Sequence, residues 1–272
     1  MTDNAGELCL VNGVEERADK LIGFQSEKVV YEVIRIIDGV PLFIEDRFLR
    51  MKNSLKTLST ELKTTQKELN QQVRKTAELN GKKNCNVKVT VYEEAGRQNC
   101  IMYISKSYYP VKEEIENGVK VGLMRWERHD PNAKILNNEY KEAARKKMEE
   151  ENTFEVLLVN NQNRITEGSK SNVFFVRGNR VFTAPDEYVL KGVTRKYIID
   201  ACQKSGFELI ETLIGLDSLN EIEGLFITGT SIKVLPVSEV DGKVFKSATH
   251  PTIVAIRDQY DCVIREYIKA NA

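Results

Sequence analysis

The chain has 272 residues, of which 41% are hydrophobic and 29% charged, a balance too apolar for a disordered chain and long enough for one large or two ordinary domains. Its 40 basic and 40 acidic side chains cancel, which removes any general attraction to nucleic acid or to an anionic membrane. With only His129 and His250, and five scattered cysteines (Cys9, Cys85, Cys100, Cys202, Cys262), a histidine-rich metal site is excluded, a serine–histidine hydrolase is disfavoured, and reduced thiols in a cytoplasm are expected.

The opening MTDNAGELCLVNG has no basic region followed by an apolar run, so no secretory leader is expected. The runs VVYEVIRIID and VPLFI flank Asp38-Gly39, a dipeptide suited to the positive φ of a tight hairpin. Ile44, Phe48, Met51 and Leu55 recur at helical spacing. A second helix is expected to open at Thr65, where Thr65 and Glu68 form a capping-box pattern, and to stop before Gly81. NVKVTVYEE and CIMYISKSYY are strand-like.

The polar stretch from Tyr109 to Gly118 suggests a break between a small N-terminal domain, residues 1–110, and a large one, residues 119–272, with 111–118 as the linker. VKVGLMRWE is strand-like, and residues 138–150 predict a polar surface helix. EVLLV, NRITEG, NVFFV and RVFTA predict an antiparallel meander, with turns at Asn160-Asn161 and Gly178-Asn179. The longest of these apolar runs are far shorter than the roughly 20 residues of a membrane helix. A helix from Thr194 ends at Gly206; GLFITG and LPVSEV-DG-KVF return to strand. Pro251 opens a last helix with Ile253, Ile256, Tyr260, Val263 and Tyr267 along one stripe. The pattern is α+β in two segments.

Four stretches carry chemistry: KILNNEY, VNNQNRITEGSKSNVFFVRGNRVFTAP, LKGVTRKYII and FITGTSIKVLPV, preceded by a weaker match in YEVIRIIDGVPLFIEDRFLRMKNSL. In this order they resemble the fold-type IV pyridoxal-phosphate enzymes: branched-chain and D-amino-acid aminotransferases and aminodeoxychorismate lyase. The resemblance implies a two-domain α+β fold like that of D-amino-acid aminotransferase, with a small N-terminal α/β domain and a larger C-terminal domain built on a largely antiparallel β core. It also implies pyridoxal 5'-phosphate as cofactor, and a homodimer with the active site near the interface.

By this resemblance Lys134 is the lysine that links covalently to the cofactor and shuttles the proton, a task that needs a neutral amine near neutral pH. Taken alone it reads as a solvated surface lysine, the commoner fate of one lysine in a chain this rich in them; the signal is its position upstream of the next motif. Glu167, 33 residues later, is assigned to the ring nitrogen, where a carboxylate keeps the ring protonated. Gly192, Val193 and Thr194 resemble the phosphate site, with backbone N–H groups at a helix N-terminus. Thr230 is assigned to the same phosphate, and Ser231 lies towards the substrate. Arg50 matches the phosphate-pairing arginine of the small domain. Arg47, where many relatives carry histidine, is read as lying on the helix's exposed face. Relatives place a tyrosine five residues after the lysine, but that offset holds Glu139 here and Tyr140 follows. Either the loop has one extra residue and Tyr140 reaches the cofactor, or the phenol contact is missing. Arg128 reads as a supporting partner for the lysine loop or as a surface arginine.

The two-residue strand period puts Tyr31, Val33 and Arg35 on one face, and Lys88 and Thr90 on another shared face. The resemblance turns Tyr31, Arg35 and Lys88 towards the substrate; an outward, solvated face is the alternative. The Arg-x-His pair of D-amino-acid aminotransferases is absent from KVTVYEE, which argues against D-amino-acid specificity. The expected reaction is transamination between an L-amino acid, branched-chain-like or other, and a 2-oxo acid. Pyruvate elimination of the aminodeoxychorismate lyase type is the close alternative, a non-catalytic relative that binds the cofactor a further one, and an interaction module without cofactor the last.

Overall fold

The structure is a computed structural model that describes residues 3–20, 29–94, 96–128 and 131–272. The chain divides into two units. One comprises residues 1–108, 133–136 and 264–272, the other residues 109–132 and 137–263.

The first unit is built on strands β1 (Asn4–Val11), β2 (Val14–Arg17), β3 (Val29–Ile37) and β4 (Val40–Pro41), helices α1 (Ile44–Thr57) and α2 (Gln66–Leu79), and strands β5 (Cys85–Glu94) and β6 (Arg97–Ser105). They form an antiparallel six-stranded sheet in the order β2-β1-β6-β5-β3-β4. The period of two decides which side is dry. Val30, Ile34 and Ile36 of β3 and Val87, Val89 and Val91 of β5 face Met51 and Leu55 of α1 and Leu69, Val73 and Ala77 of α2. Asp38 and Gly39 take φ of 50° and 83°, closing the hairpin as expected. The capping box at Thr65 is present, with the Glu68 amide donating to Thr65 Oγ1 at 3.2 Å and the Thr65 amide donating to Glu68 Oε2 at 2.8 Å. Because β4 covers only Ile36 and Ile37, the other end of β3 is left with an open edge, and residues 134–136 take it. The Tyr31 amide donates to the Lys134 carbonyl at 3.1 Å and the Leu136 amide to the Val29 carbonyl at 2.9 Å.

The second unit contains α3 (Lys112–Asn117), β7 (Val119–Arg125), α4 (Asn138–Glu151), β8 (Glu155–Val159), β9 (Arg164–Gly168), β10 (Asn172–Arg177) and β11 (Arg180–Thr183). There follow α5 (Val193–Lys204), β12 (Glu208–Glu211), β13 (Ile214–Gly215), β14 (Gly224–Gly229), β15 (Lys233–Val240) and β16 (Lys243–Val244). Helix α6 (Pro251–Asn271) contributes its residues up to Val263 to this unit and its last turns to the first. The ten-stranded sheet runs β12-β11-β10-β14-β15-β7-β8-β9-β13, with β16 paired to β15. It is largely antiparallel; β7–β8, β7–β15 and β11–β12 are parallel.

The expected four-strand meander is corrected here. β8–β9 and β10–β11 are separate hairpins, and β10 pairs with β14 rather than with β9. Both faces of this sheet are covered, which is why EVLLV and NVFFV are apolar throughout and offer no alternation to set their order. Leu157, Val159, Val173, Phe175, Leu225 and Ile227 fill one side. Val156 and Leu158 meet Tyr140 and Ala144 of α4 on the other.

Candidate active site

The functional candidates fall into two groups, one in each unit. In the first unit, Lys134 sits on the segment that completes the edge of β3, and its amide donates to Ser54 Oγ of α1 at 3.1 Å. The lysine backbone is therefore held by both a strand and a helix. Its Nζ lies 4.7 Å from the centroid of the Tyr31 ring. Lys88, buried on β5, lies over the same ring at 5.3 Å and over Tyr103 at 5.7 Å. Lys88 Nζ donates to Asp3 Oδ2 at 2.8 Å, and the Tyr103 hydroxyl donates to Asp3 Oδ1. Burial would raise the Asp3 carboxyl, but Lys88 and Tyr103 outweigh it and hold it below the usual carboxylate range. Tyr31 pairs with Thr90 and Val33 with Lys88 across β3–β5, so Tyr31, Arg35, Lys88 and Thr90 share the face opposite the helices. Tyr31 and Arg35 are half-buried, and Lys88 and Thr90 are buried, so a solvated face does not describe this row.

On the helix side of the same strand stands Glu32, with no exposure at all. Arg50 grips it with both arms of its guanidinium, Nε to Oε1 at 2.6 Å and Nη2 to Oε2 at 2.8 Å. Arg47 Nη1 approaches the same carboxylate to 3.8 Å. The exposed-face reading of Arg47 is thus corrected: it is 2% exposed, drawn inward by a buried charge. Glu32 escapes a sequence reading because it occupies a core phase of an otherwise apolar alternation. The only signal is that one acid between Val30 and Ile34 must find a cation.

In the second unit Glu167 lies one residue before the end of β9, 3% exposed. Its Oε1 accepts from Arg128 Nη1 at 2.7 Å, and its Oε2 from the Leu190 amide at 3.0 Å and Asn172 Nδ2 at 3.5 Å. Arg128 and Glu167 line a cleft of about 210 Å³ with Trp126, Pro131, Thr166 and Tyr188. Asn172 also donates to the Leu190 carbonyl at 3.0 Å. A Cβ built on Gly192 would fall 2.2 Å from Asn172 Oδ1, so a larger residue there would have to push Asn172 aside. Gly192 precedes α5, whose start has no side-chain cap and no acid in its first turn. Its first intrahelical bond runs from the Lys196 amide to the Gly192 carbonyl, which leaves the N–H groups of Val193 and Thr194 outside the helical ladder. Thr230 and Ser231 lie in the turn between β14 and β15. The Tyr140 ring packs near Trp126, with centroids 5.5 Å apart, and its hydroxyl donates to the Ser169 carbonyl at 3.0 Å.

The second unit thus holds a buried carboxylate beside a cleft and a helix start without a side-chain cap, and the first unit a strand-anchored lysine. The amino-transferase class IV family matches residues 29–240, and the chain belongs to that family. Enzymes of this class use pyridoxal 5'-phosphate, and residues of the second unit suit such a group chemically: a buried carboxylate, and an uncapped helix start behind a glycine where a Cβ would crowd Asn172. D-alanine aminotransferase of Bacillus licheniformis is 28% identical over 83% of each chain. The putative branched-chain-amino-acid aminotransferase of Methanocaldococcus jannaschii is 27% identical over 80% of each. The branched-chain aminotransferase of the thermophilic archaeon Thermoproteus uzoniensis, solved with norvaline, shares the fold with a TM-score of 0.85 at 21% identity, over 97% of this chain and 96% of that one.

Proposed function

We propose that this chain transfers an amino group between an L-amino acid, branched-chain-like or other, and a 2-oxo acid, with pyridoxal 5'-phosphate held by its own residues. The observation that carries the reading is Glu167, a buried carboxylate whose oxygens are fixed by Arg128, Leu190 and Asn172 in the wall of a cleft. When bound, the cofactor supplies an electron sink for the carbanion left when the substrate Cα loses its proton. Glu167 would hold the proton on the ring nitrogen. The N–H groups of Val193 and Thr194, the Thr194 and Thr230 hydroxyls and Arg50 would hold the phosphate, with Gly192 permitting close approach and Glu32 orienting Arg50. Lys134 would carry the cofactor covalently and move the proton at the substrate Cα; its doubly anchored backbone limits where its amine can go. Tyr31, Arg35, Lys88 and Ser231 would shape the substrate subsite. Tyr140 belongs to the cofactor set only if its phenol oxygen can serve the ring as well as Ser169.

Family membership supports a homodimer, and free, scattered cysteines support a reducing compartment such as the cytoplasm. Among the described residues no helix is long and apolar enough to cross a membrane.

The test is a donor panel. Enzyme loaded with cofactor is mixed with one amino acid at a time, including L-valine, L-leucine, L-glutamate, L-alanine and D-alanine, and the visible absorbance of the bound cofactor is followed. A true donor removes that absorbance without any 2-oxo acid present, and a 2-oxo acid restores it, as ping-pong kinetics require. A response to D-alanine alone would move the substrate to the D series named in the Bacillus licheniformis relative. Turnover that survives Lys134→Ala would remove the lysine from the chemistry.

A further inference from the structure

We infer that Glu155 is a positioning residue for the cofactor site: its buried carboxylate shapes the turn from Gly168 to Ser171 and so aims Glu167 at one end of that turn and Asn172 at the other. The inference rests on the reading that Glu167 serves the cofactor.

Glu155 opens β8 and is 4% exposed. Its Oε1 accepts from the Val156 amide at 2.9 Å, from the Ser169 amide at 3.2 Å and from the Ser169 hydroxyl. Its Oε2 accepts from the Lys170 amide and the Ser171 hydroxyl, both at 3.1 Å. Four donors of the turn therefore point at one carboxylate, the Ser169 amide being shared with the Val156 carbonyl at 2.9 Å, and a buried charge is stable in such a place only while those donors surround it. The turn is closed by the Gly168 amide on the Ser171 carbonyl at 2.7 Å, and the Tyr140 hydroxyl holds the Ser169 carbonyl from outside. Gly168 is part of the same fit: a Cβ there would lie 2.1 Å from Ser171 Oγ and 3.2 Å from Glu155 Cγ.

The two residues that leave this turn are Glu167 and Asn172. Asn172 touches Glu167 Oε2, the Leu190 carbonyl and the space a Cβ on Gly192 would need. A shift of the turn consequently displaces both the carboxylate meant for the ring nitrogen and the neighbour of the phosphate cradle. An offset of this kind weakens a binding constellation even though the displaced group touches no ligand.

The experiment uses the full chain with Glu155→Gln, Glu155→Asp and Ser171→Ala. In Glu155→Gln an amide N–H faces donors, so the turn must rearrange; in Ser171→Ala one donor is removed and nothing is added. Hydrogen exchange of cofactor-free protein reads the turn directly: the Lys170 amide, which donates to Glu155, should exchange roughly tenfold faster or more in Glu155→Gln, and the Ser169 amide, which also donates to the Val156 carbonyl, should speed up less. Titration with pyridoxal 5'-phosphate, read by visible absorbance and circular dichroism, reads the consequence. The dissociation constant should rise about tenfold in Glu155→Gln, severalfold in Ser171→Ala and between the two in Glu155→Asp, with weaker visible dichroism at saturation. The unfolding temperature of cofactor-free Ser171→Ala should stay within about 2 °C of the parent. Native exchange rates and native affinity in Glu155→Gln and Ser171→Ala overturn the inference. So does a variant that melts earlier but keeps native affinity and native dichroism, which is the mark of a purely structural role. If Glu155→Gln does not fold, Ser171→Ala decides by the same two readings. A parent chain that binds no pyridoxal 5'-phosphate at all overturns the proposed function instead, and hydrogen exchange still reports on the turn.

Discussion

At the scale of single residues, the strongest energetic commitment in the first unit is the charge of Glu32. Burial alone would raise its carboxyl; the Arg50 fork, then Arg47 and Lys134, outweigh that and hold it below its ordinary value of 4.5. A carboxyl lowered in this way contributes stability above the unfolded value and loses it as pH falls through the folded one. Glu32→Gln removes the buried carboxylate charge that Arg50 grips and Arg47 approaches, so urea unfolding at pH 7 should show a loss of about 3–5 kcal/mol. The gap from the parent should close in acid, below pH 4.5, as the parent's own carboxyl protonates. A loss under about 1 kcal/mol at pH 7 would mean that Arg47 and Arg50 are satisfied by other groups. Lys134, Glu167, Gly192 and Thr194 are the candidates the sequence singles out, because each sits in a motif of fixed spacing. Glu32, Asn172 and Glu155 are not singled out by spacing, because each acts through a neighbour that only folding supplies.

At the scale of elements, short-range chemistry is the readable part. The α2 capping box and the Asp38-Gly39 turn involve groups at most three residues apart, so their physics is complete within the local chain. Thr65→Ala should cost about 1 kcal/mol in thermal unfolding and speed amide exchange in the first turn of α2 alone; an unchanged melting curve would show that this cap adds nothing. Helix α1 shows the contrary case. Its N-cap residue Phe43 has φ of 55° and offers no side-chain cap. The Ile44 amide donates instead to the hydroxyl of Tyr267 at 3.2 Å, which in turn donates to Glu45 at 2.8 Å. That cap comes from the last helix, and no local pattern announces it. The Asn12-Gly13 turn between β1 and β2, with φ of 52° and 81°, could have been found by the same rule that finds Asp38-Gly39.

At the scale of the whole chain, two units need not unfold in one transition, and a single melting temperature does not describe them. Cofactor that binds only folded protein adds free energy by mass action, about 2.7 kcal/mol at one hundred times its dissociation constant. Calorimetry of the cofactor-free chain should therefore show its endotherm move up by roughly 5–10 °C on adding pyridoxal 5'-phosphate at that excess. An endotherm that ignores the cofactor would contradict binding to the folded state.

By itself the sequence determined the α+β class, the capped start of α2, the Asp38-Gly39 and Asp241-Gly242 turns, and the membership signalled by its ordered motifs, because backbone sterics, capping and turn chemistry act over a few residues. Only the tertiary structure decided that β10 pairs with β14, that Arg47 turns inward to Glu32, that Tyr267 caps α1, and that Tyr140 spends its proton on Ser169. Each of those depends on which distant group arrives to satisfy a buried charge, a bare amide or an open strand edge, and an apolar run such as EVLLV fits several neighbours equally well until the sheet closes around it.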